Sequence, residues 1–291
     1  MPFEFPADYP QSIGELEYLS DFASDFLTKH SRPNRKPYLE KQGYALLERL
    51  STELHSLIRL IPGGKYFPKD LPEIWDFPSF AVLARHVLED SVIFLYLVEP
   101  GLLADELDFR RIVWEYHSAM EGSKIASLYG CITDSVYPTN SPMPLLKKAA
   151  EDKIPILKKQ IEEHYRYAAF TKHSKNRMRK GQQNLIVKTD EILARLGIPT
   201  YFYDAPYTHL SNYVHASEFS LAKAYELSKP SKTAAHQFRL ASTFVNFMFG
   251  TAMSEAIRTF GGIRSKEDKE LNRILDRNRL LMTKEYPRAS G

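Results

Sequence analysis

The chain has 291 residues, a formal net charge of +3, 43% hydrophobic and 26% charged residues. That is close to the globular average, so it excludes wholesale disorder, and the mild positive charge neither requires nor forbids an anionic partner. The single cysteine, Cys131, excludes an internal disulfide and a Cys-ligated zinc site, and reads as a free thiol near a helix end.

Met1-Pro2-Phe3-Glu4-Phe5 lacks a basic segment followed by an apolar run, so no signal peptide is expected. Ser12 and Glu15 form a capping-box pair that predicts a first helix starting near Ser12, with Ile13, Leu16, Leu19, Phe22, Ala23 and Phe26 at helical spacing. A basic, Pro-containing break covers residues 30–37. A second helix follows over 38–61, with Ala45, Leu46, Leu50, Leu54, Leu57 and Ile61 on one stripe. Pro62-Gly63-Gly64 ends it, and the segment to Pro78 is expected to be irregular, its Phe67, Trp75 and Phe77 packing on a bundle. Pro78 suits the first turn of a third helix running to about Val98, apolar nearly all round after Ser91 and therefore central.

A fourth helix is expected over 105–130, a loop over 133–144, and a long charged helix over 145–172 with a bend at Pro155. Further helices are expected over 190–196, 206–215, 218–227, 233–260 and 266–282, whereas Tyr201-Phe202-Tyr203 is too short for a strand. The least charged stretch, 240–254, holds Ser242, Thr243, Asn246 and Thr251. A membrane span needs about 20 apolar residues, so this reads as a buried helix and the protein as cytoplasmic. The expected architecture is all-α, an antiparallel bundle with additional N-terminal helices. Its divisions are an N-terminal extension with an aromatic loop (1–77), the main bundle (78–282) and a tail (283–291).

Metal-binding and nucleotide-binding motifs do not stand out. There is no His-Glu-x-x-His, no calcium loop and no phosphate-binding Gly-rich loop, and Gly261-Gly262 follows a helix as its stop. Neither a cofactor nor a metal is expected. Between His164 and Thr189, by contrast, Arg166, Lys172, Lys175, Arg177, Arg179, Lys180 and Lys188 occur without an acid. Tyr165, Tyr167, Phe170 and His173 are interleaved among them. Cationic clusters hold phosphate backbones and aromatics stack on bases, so Lys172, Lys175, Arg177, Arg179 and Lys180 are candidate nucleic-acid ligands. The plainer alternative is a solvated loop. With few apolar anchors, residues 172–180 are expected to be mobile without a ligand.

Two polar groups interrupt the apolar helices. Arg85, His86, Glu89 and Asp90 make two i,i+4 pairs in the central helix, either on its surface or as a cluster inside the bundle. In the segment 207–215, Tyr207, Ser211 and His215 are spaced i, i+4, i+8, which on a continuous helix places a phenol, a hydroxyl and an imidazole on one stripe. A hydroxyl one turn from an imidazole resembles part of a nucleophile–base pair, and a structural His215 bonded to a neighbouring helix is the alternative.

Arg85-x-x-x-Glu89 followed by Tyr207-x-x-Leu210-Ser211-x-x-Val214-His215 resembles a bacterial family of helical proteins of unknown function, over roughly residues 80–260. That family is distantly similar to the HEPN (higher eukaryotes and prokaryotes nucleotide-binding) bundles. The resemblance implies a metal-independent ribonuclease of toxin or phage-defence systems, acting as a homodimer on RNA. HEPN proteins carry an Arg and a His with four to six residues between them. Arg commonly follows the family's motif Tyr, and Thr208 stands there in this chain. The departure removes the cation that would stabilise a phosphorane-like transition state, so Arg85 is expected to replace it. Other pairs with HEPN spacing are Arg49/His55, Arg110/His117, Arg111/His117 and Arg166/His173.

Three readings follow. The first is a HEPN-like ribonuclease or nucleic-acid-directed effector with catalytic candidates His215 (base), Ser211 and Tyr207 (positioning), Arg85 and Glu89. The second is a non-enzymatic partner-binding module. The third is a small-molecule sensor with Arg85 and His215 in a polar pocket.

Overall fold

The structure is a computed structural model that describes residues 3–30, 38–68, 75–133, 143–214, 218–261 and 266–285. Among these residues the chain forms eleven α-helices and one 3-10 turn, with no strand. The helices are α1 (Tyr9–Lys29), α2 (Tyr38–Ile58), α3 (Phe77–Val98), α4 (Ala104–Thr133) and α5 (Met143–Glu163), then the turn Tyr165–Ala169. They continue with α6 (Lys172–Arg179), α7 (Thr189–Arg195), α8 (Tyr201–Ser211), α9 (Glu218–Leu227), α10 (Lys232–Phe260) and α11 (Lys266–Glu285). The all-α expectation holds. None of the described helices is long and apolar enough to cross a membrane.

The chain divides into two compact units: residues 1–98 with 189–291, and residues 99–188. α1 and α2 lie in one unit with α3 and α10, in whose packing they bury their apolar faces.

In the first unit α10 and α3 pack together at the centre. Leu240 to Gly250 of α10 is buried without interruption, and Phe94, Leu95 and Tyr96 of α3 are fully covered. α2 lays Leu47, Leu50, Leu54 and Leu57 into this core, each side chain worth about 1.5–3 kcal/mol when fully buried. Ala45, expected on that stripe, is exposed instead. Helical phase explains the shift: Leu47, Leu50, Leu54 and Leu57 follow a three-and-four-residue spacing that Ala45 does not fit. Near the N-terminus, Phe5 stacks on Tyr9 and on Trp75, and Trp75 meets Phe238 of α10 edge-on.

α1 starts at Tyr9, not Ser12. Pro10 occupies its first turn, where a missing N–H costs nothing. Ser12 and Glu15 therefore lie inside the helix and are buried, and they do not form a cap. Glu15 accepts instead from Asn278 Nδ2 at 2.9 Å and from Arg277 of α11. Asn246 of α10 donates to Ser12 O at 2.9 Å, so α1, α10 and α11 meet at one buried polar cluster.

In the second unit α4 and α5 run antiparallel: Phe109 near the start of α4 stacks on His164, just beyond the end of α5. Arg110 is fully buried and forms ion pairs with Glu99 and Glu106, each at 2.7 Å. The expected single helix over 145–172 stops at Glu163, and a 3-10 turn intervenes. Residues 172–179, expected to be a mobile loop, form α6. Three features account for it. Thr171 Oγ1 caps the helix by accepting from Ser174 N, Met178 is a fully buried anchor, and Tyr116 Oη donates to Arg179 O at 2.7 Å. His117 Nδ1 lies 2.7 Å from Gly181 O, so α4 clasps the end of α6 at two adjacent positions.

Candidate functional site

α3 and α8 lie side by side in the first unit, and the two sequence motifs meet where they pack. Arg85 is half-buried and donates through Nε and Nη2 to Glu89 Oε1 at 3.2 and 2.9 Å. The same Nη2 donates to Tyr207 Oη at 2.7 Å, and the guanidinium lies 4.7 Å from the Tyr207 ring centroid. Burial opposes the Arg85 charge, but the Glu89 carboxylate outweighs it, and the guanidinium pKa is raised. Tyr203, one turn before Tyr207, stacks on it at 5.4 Å. Burial and the Glu89 charge push the Tyr203 phenol upward, so it stays protonated.

The arrangement of α8 departs from expectation at both ends. It begins at Tyr201 and carries Pro206 inside, so Pro206 does not start the helix. It ends at Ser211 and is followed by turn residues to Val214, and the expected stripe from Tyr207 and Ser211 to His215 runs past the described residues. Ser211 Oγ donates to Tyr207 O at 2.6 Å, which commits the hydroxyl proton to its own helix. Thr208 is exposed. His215 itself lies outside the described residues. The other imidazole of the motif, His209, is held toward its neutral form by burial and meets Tyr213 edge-on.

A second polar pair adjoins the first on α3. Asp90 is buried, and Arg49 Nε of α2 stands 3.0 Å from its Oδ2 while also donating to Glu53 at 2.8 Å. Burial, reinforced by the Glu53 charge, raises the Asp90 pKa to about 6. His86, the other i,i+4 member, is exposed. Sequence reasoning named Arg49 only in its pair with His55 and gave Glu53 and Tyr203 no role. The i,i+4 spacings Arg49/Glu53 and Tyr203/Tyr207 were the available signals, the second hidden because the helix was expected to start at Pro206.

The HEPN-spaced Arg/His pairs are absorbed elsewhere. Arg49 serves Glu53 and Asp90, while His55 contacts Ser20 and Ser51 O. Arg110 pairs with Glu99 and Glu106, Arg111 with Asp108 and Glu115, and His117 faces Gly181 O. Arg166 pairs with Asp105 and Glu106.

In the second unit, α6 presents Lys172, Lys175, Arg177 and Arg179 with no acid of its own. Lys172, Arg177, Arg179 and Lys180 are exposed; Lys175 is half-buried and donates to Ala168 O at 2.9 Å. Arg179 pairs with Glu162 and Arg177 donates to Gln182 O. Lys172 and Lys180 have no acidic partner among the described residues. No group of three or more His, Cys, Asp or Glu that could hold a metal occurs among the described residues.

Compared with known proteins, the chain matches no family model, no curated protein and no solved structure.

Proposed function

We propose that this chain is a nucleic-acid-directed effector that takes RNA through the cationic face of α6. The observation that carries the reading is that face: a short exposed helix with four cations and no acid, fixed at its N-terminus by Thr171 and at its C-terminus by Tyr116 and His117. Cations on a fixed frame bind a polyphosphate strand by displacing its counterions, which makes affinity fall steeply with salt. The test is fluorescence anisotropy with a labelled RNA strand across a salt series. Steep weakening with salt is expected. Salt-independent binding, or none at low salt, would overturn the reading.

A second, chemical reading is favoured by the bond between Arg85 and Tyr207, which puts a permanent cation beside the segment that leads to His215. In it the protein is a HEPN-like, metal-independent ribonuclease, cytoplasmic and homodimeric, of a toxin or phage-defence setting. His215 takes the proton of a 2′-hydroxyl, and Arg85 stabilises the charge that develops on phosphorus-bound oxygen. Glu89 and Tyr207 orient Arg85, and Ser211 rigidifies the end of α8. Cleavage that persists in chelator and disappears in His215→Ala, with helical circular dichroism unchanged, is the expected result. Full activity in His215→Ala would refute the assignment.

A further inference from the structure

Just before α6, three rings form a staircase that leads out of the second unit. Phe109 is fully buried; His164 stacks on it at 4.7 Å; Tyr165 stacks on His164 at 5.1 Å with an interplanar angle of 19°. Tyr165 is 68% exposed. A large ring so open to solvent is ordinarily free to swing, but this one is held on two sides. Its hydroxyl donates to the Asp105 carboxylate, and its face rests on an imidazole that accepts from Arg166 N at 3.2 Å. Asp105 is kept ionised chiefly by its hydrogen bond from Arg166, which also offsets its negative charge locally.

The staircase and α6 are parts of one packed segment. Tyr167, in the same 3-10 turn as Tyr165, is buried under Lys175 and Arg179 of α6, whose charged groups lie 5.3 and 5.9 Å from its ring centroid. Lys175 also reaches back to Ala168 O. An exposed aromatic face, tethered by Asp105 and His164, and a row of cations are thus carried by one packed segment. Those are the two elements by which proteins hold an unpaired strand: rings for the bases and cations for the phosphates.

We propose that Tyr165 is a base-stacking platform, and that the nucleic acid taken by α6 is single-stranded, one unpaired base lying on the Tyr165 ring while α6 holds the flanking phosphates. This rests on the reading of α6 as an RNA-binding face. A duplex keeps its bases stacked on one another and offers none to the ring, so the platform discriminates against it.

The test compares a fluorescein-labelled oligo(A) RNA strand with its oligo(U) duplex, using wild type, Tyr165→Ala and Tyr165→Phe. Wild type is expected to prefer the single strand. Tyr165→Ala is expected to lose roughly 5- to 150-fold in affinity for it, with the salt slope unchanged because no phosphate contact is removed. Tyr165→Phe keeps the ring and is expected to retain most of the affinity. Quenching of a fluorescent adenine analogue in the strand should accompany binding to wild type and vanish in Tyr165→Ala. If neither probe binds at low salt, the nucleic-acid reading and the platform fall together. If RNA binds but Tyr165→Ala matches wild type, or the duplex binds equally well, the platform alone is overturned.

Discussion

At the scale of single residues, Asp90 couples the α2–α3 contact to pH. Its pKa is raised from 3.8 to about 6 by burial, so between those values the folded state holds a proton that the unfolded chain has released. Stability from this group is thus fully present below about pH 4 and is lost as pH rises through about pH 6. Asp90→Asn should flatten that part of the stability–pH curve, read by urea unfolding at a series of pH values. Equal slopes for variant and wild type would show that Asp90 titrates normally. Gly181 is a second sensitive position. Its φ is +62°, and a Cβ there would come within 2.4 Å of Met120 Cγ. Gly181→Ala is expected to cost about 1–3 kcal/mol in thermal unfolding. Adding Met120→Ala removes the Cγ contact but leaves both the Met120 Cβ at 2.7 Å and the backbone strain, so it should restore only part. Full restoration would mean that neither of the two remaining costs matters. The sequence left Asp90 open between a surface pair and a cluster inside the bundle, and gave no sign of the contact at Gly181, because the partners that bury or crowd these positions lie far along the chain.

Among the elements, α11 depends on a carboxylate near the other end of the chain. Glu15 is buried and meets Arg277 and Asn278, with Arg273 at 3.5 Å. Removing one partner of such a buried pair leaves an uncompensated charge, so Glu15→Ala is expected to destabilise the fold by about 3–5 kcal/mol. A Glu15→Met, Arg277→Leu double variant should recover most of that loss, since an apolar pair of similar volume has no charge to desolvate. A single-variant cost under about 1 kcal/mol would show that the cluster contributes little. Most helices were readable from apolar periodicity, because burial of one face is what fixes them; α3, α9 and α10 lie within a residue or two of their expected limits. α8 was misjudged because Pro206 suits a first turn as well as the second turn it occupies. α6 was missed because only Met178 among its residues is buried, and a cap and two side chains from α4 supply the rest. The Arg85–Tyr207 contact was anticipated from paired motifs, whereas the end of α8 at Ser211 was not, and His215 lies outside the described residues.

For the molecule as a whole, the proposed function draws on an exposed cationic helix in one unit and a half-buried guanidinium–phenol pair in the other. The near-neutral overall charge gives little general attraction for polyanions, so binding should depend on α6 itself and not on the surface at large. The most direct measurement is the salt dependence of single-stranded RNA affinity for wild type beside the triple variant Lys172→Ala, Arg177→Ala, Lys180→Ala. The three exposed cations each neutralise a phosphate in this account, so the slope of log affinity against log salt should become shallower by about 2 in the variant, with affinity at low salt greatly reduced. An unchanged slope and affinity would contradict it, because RNA would then be held by some other part of the chain.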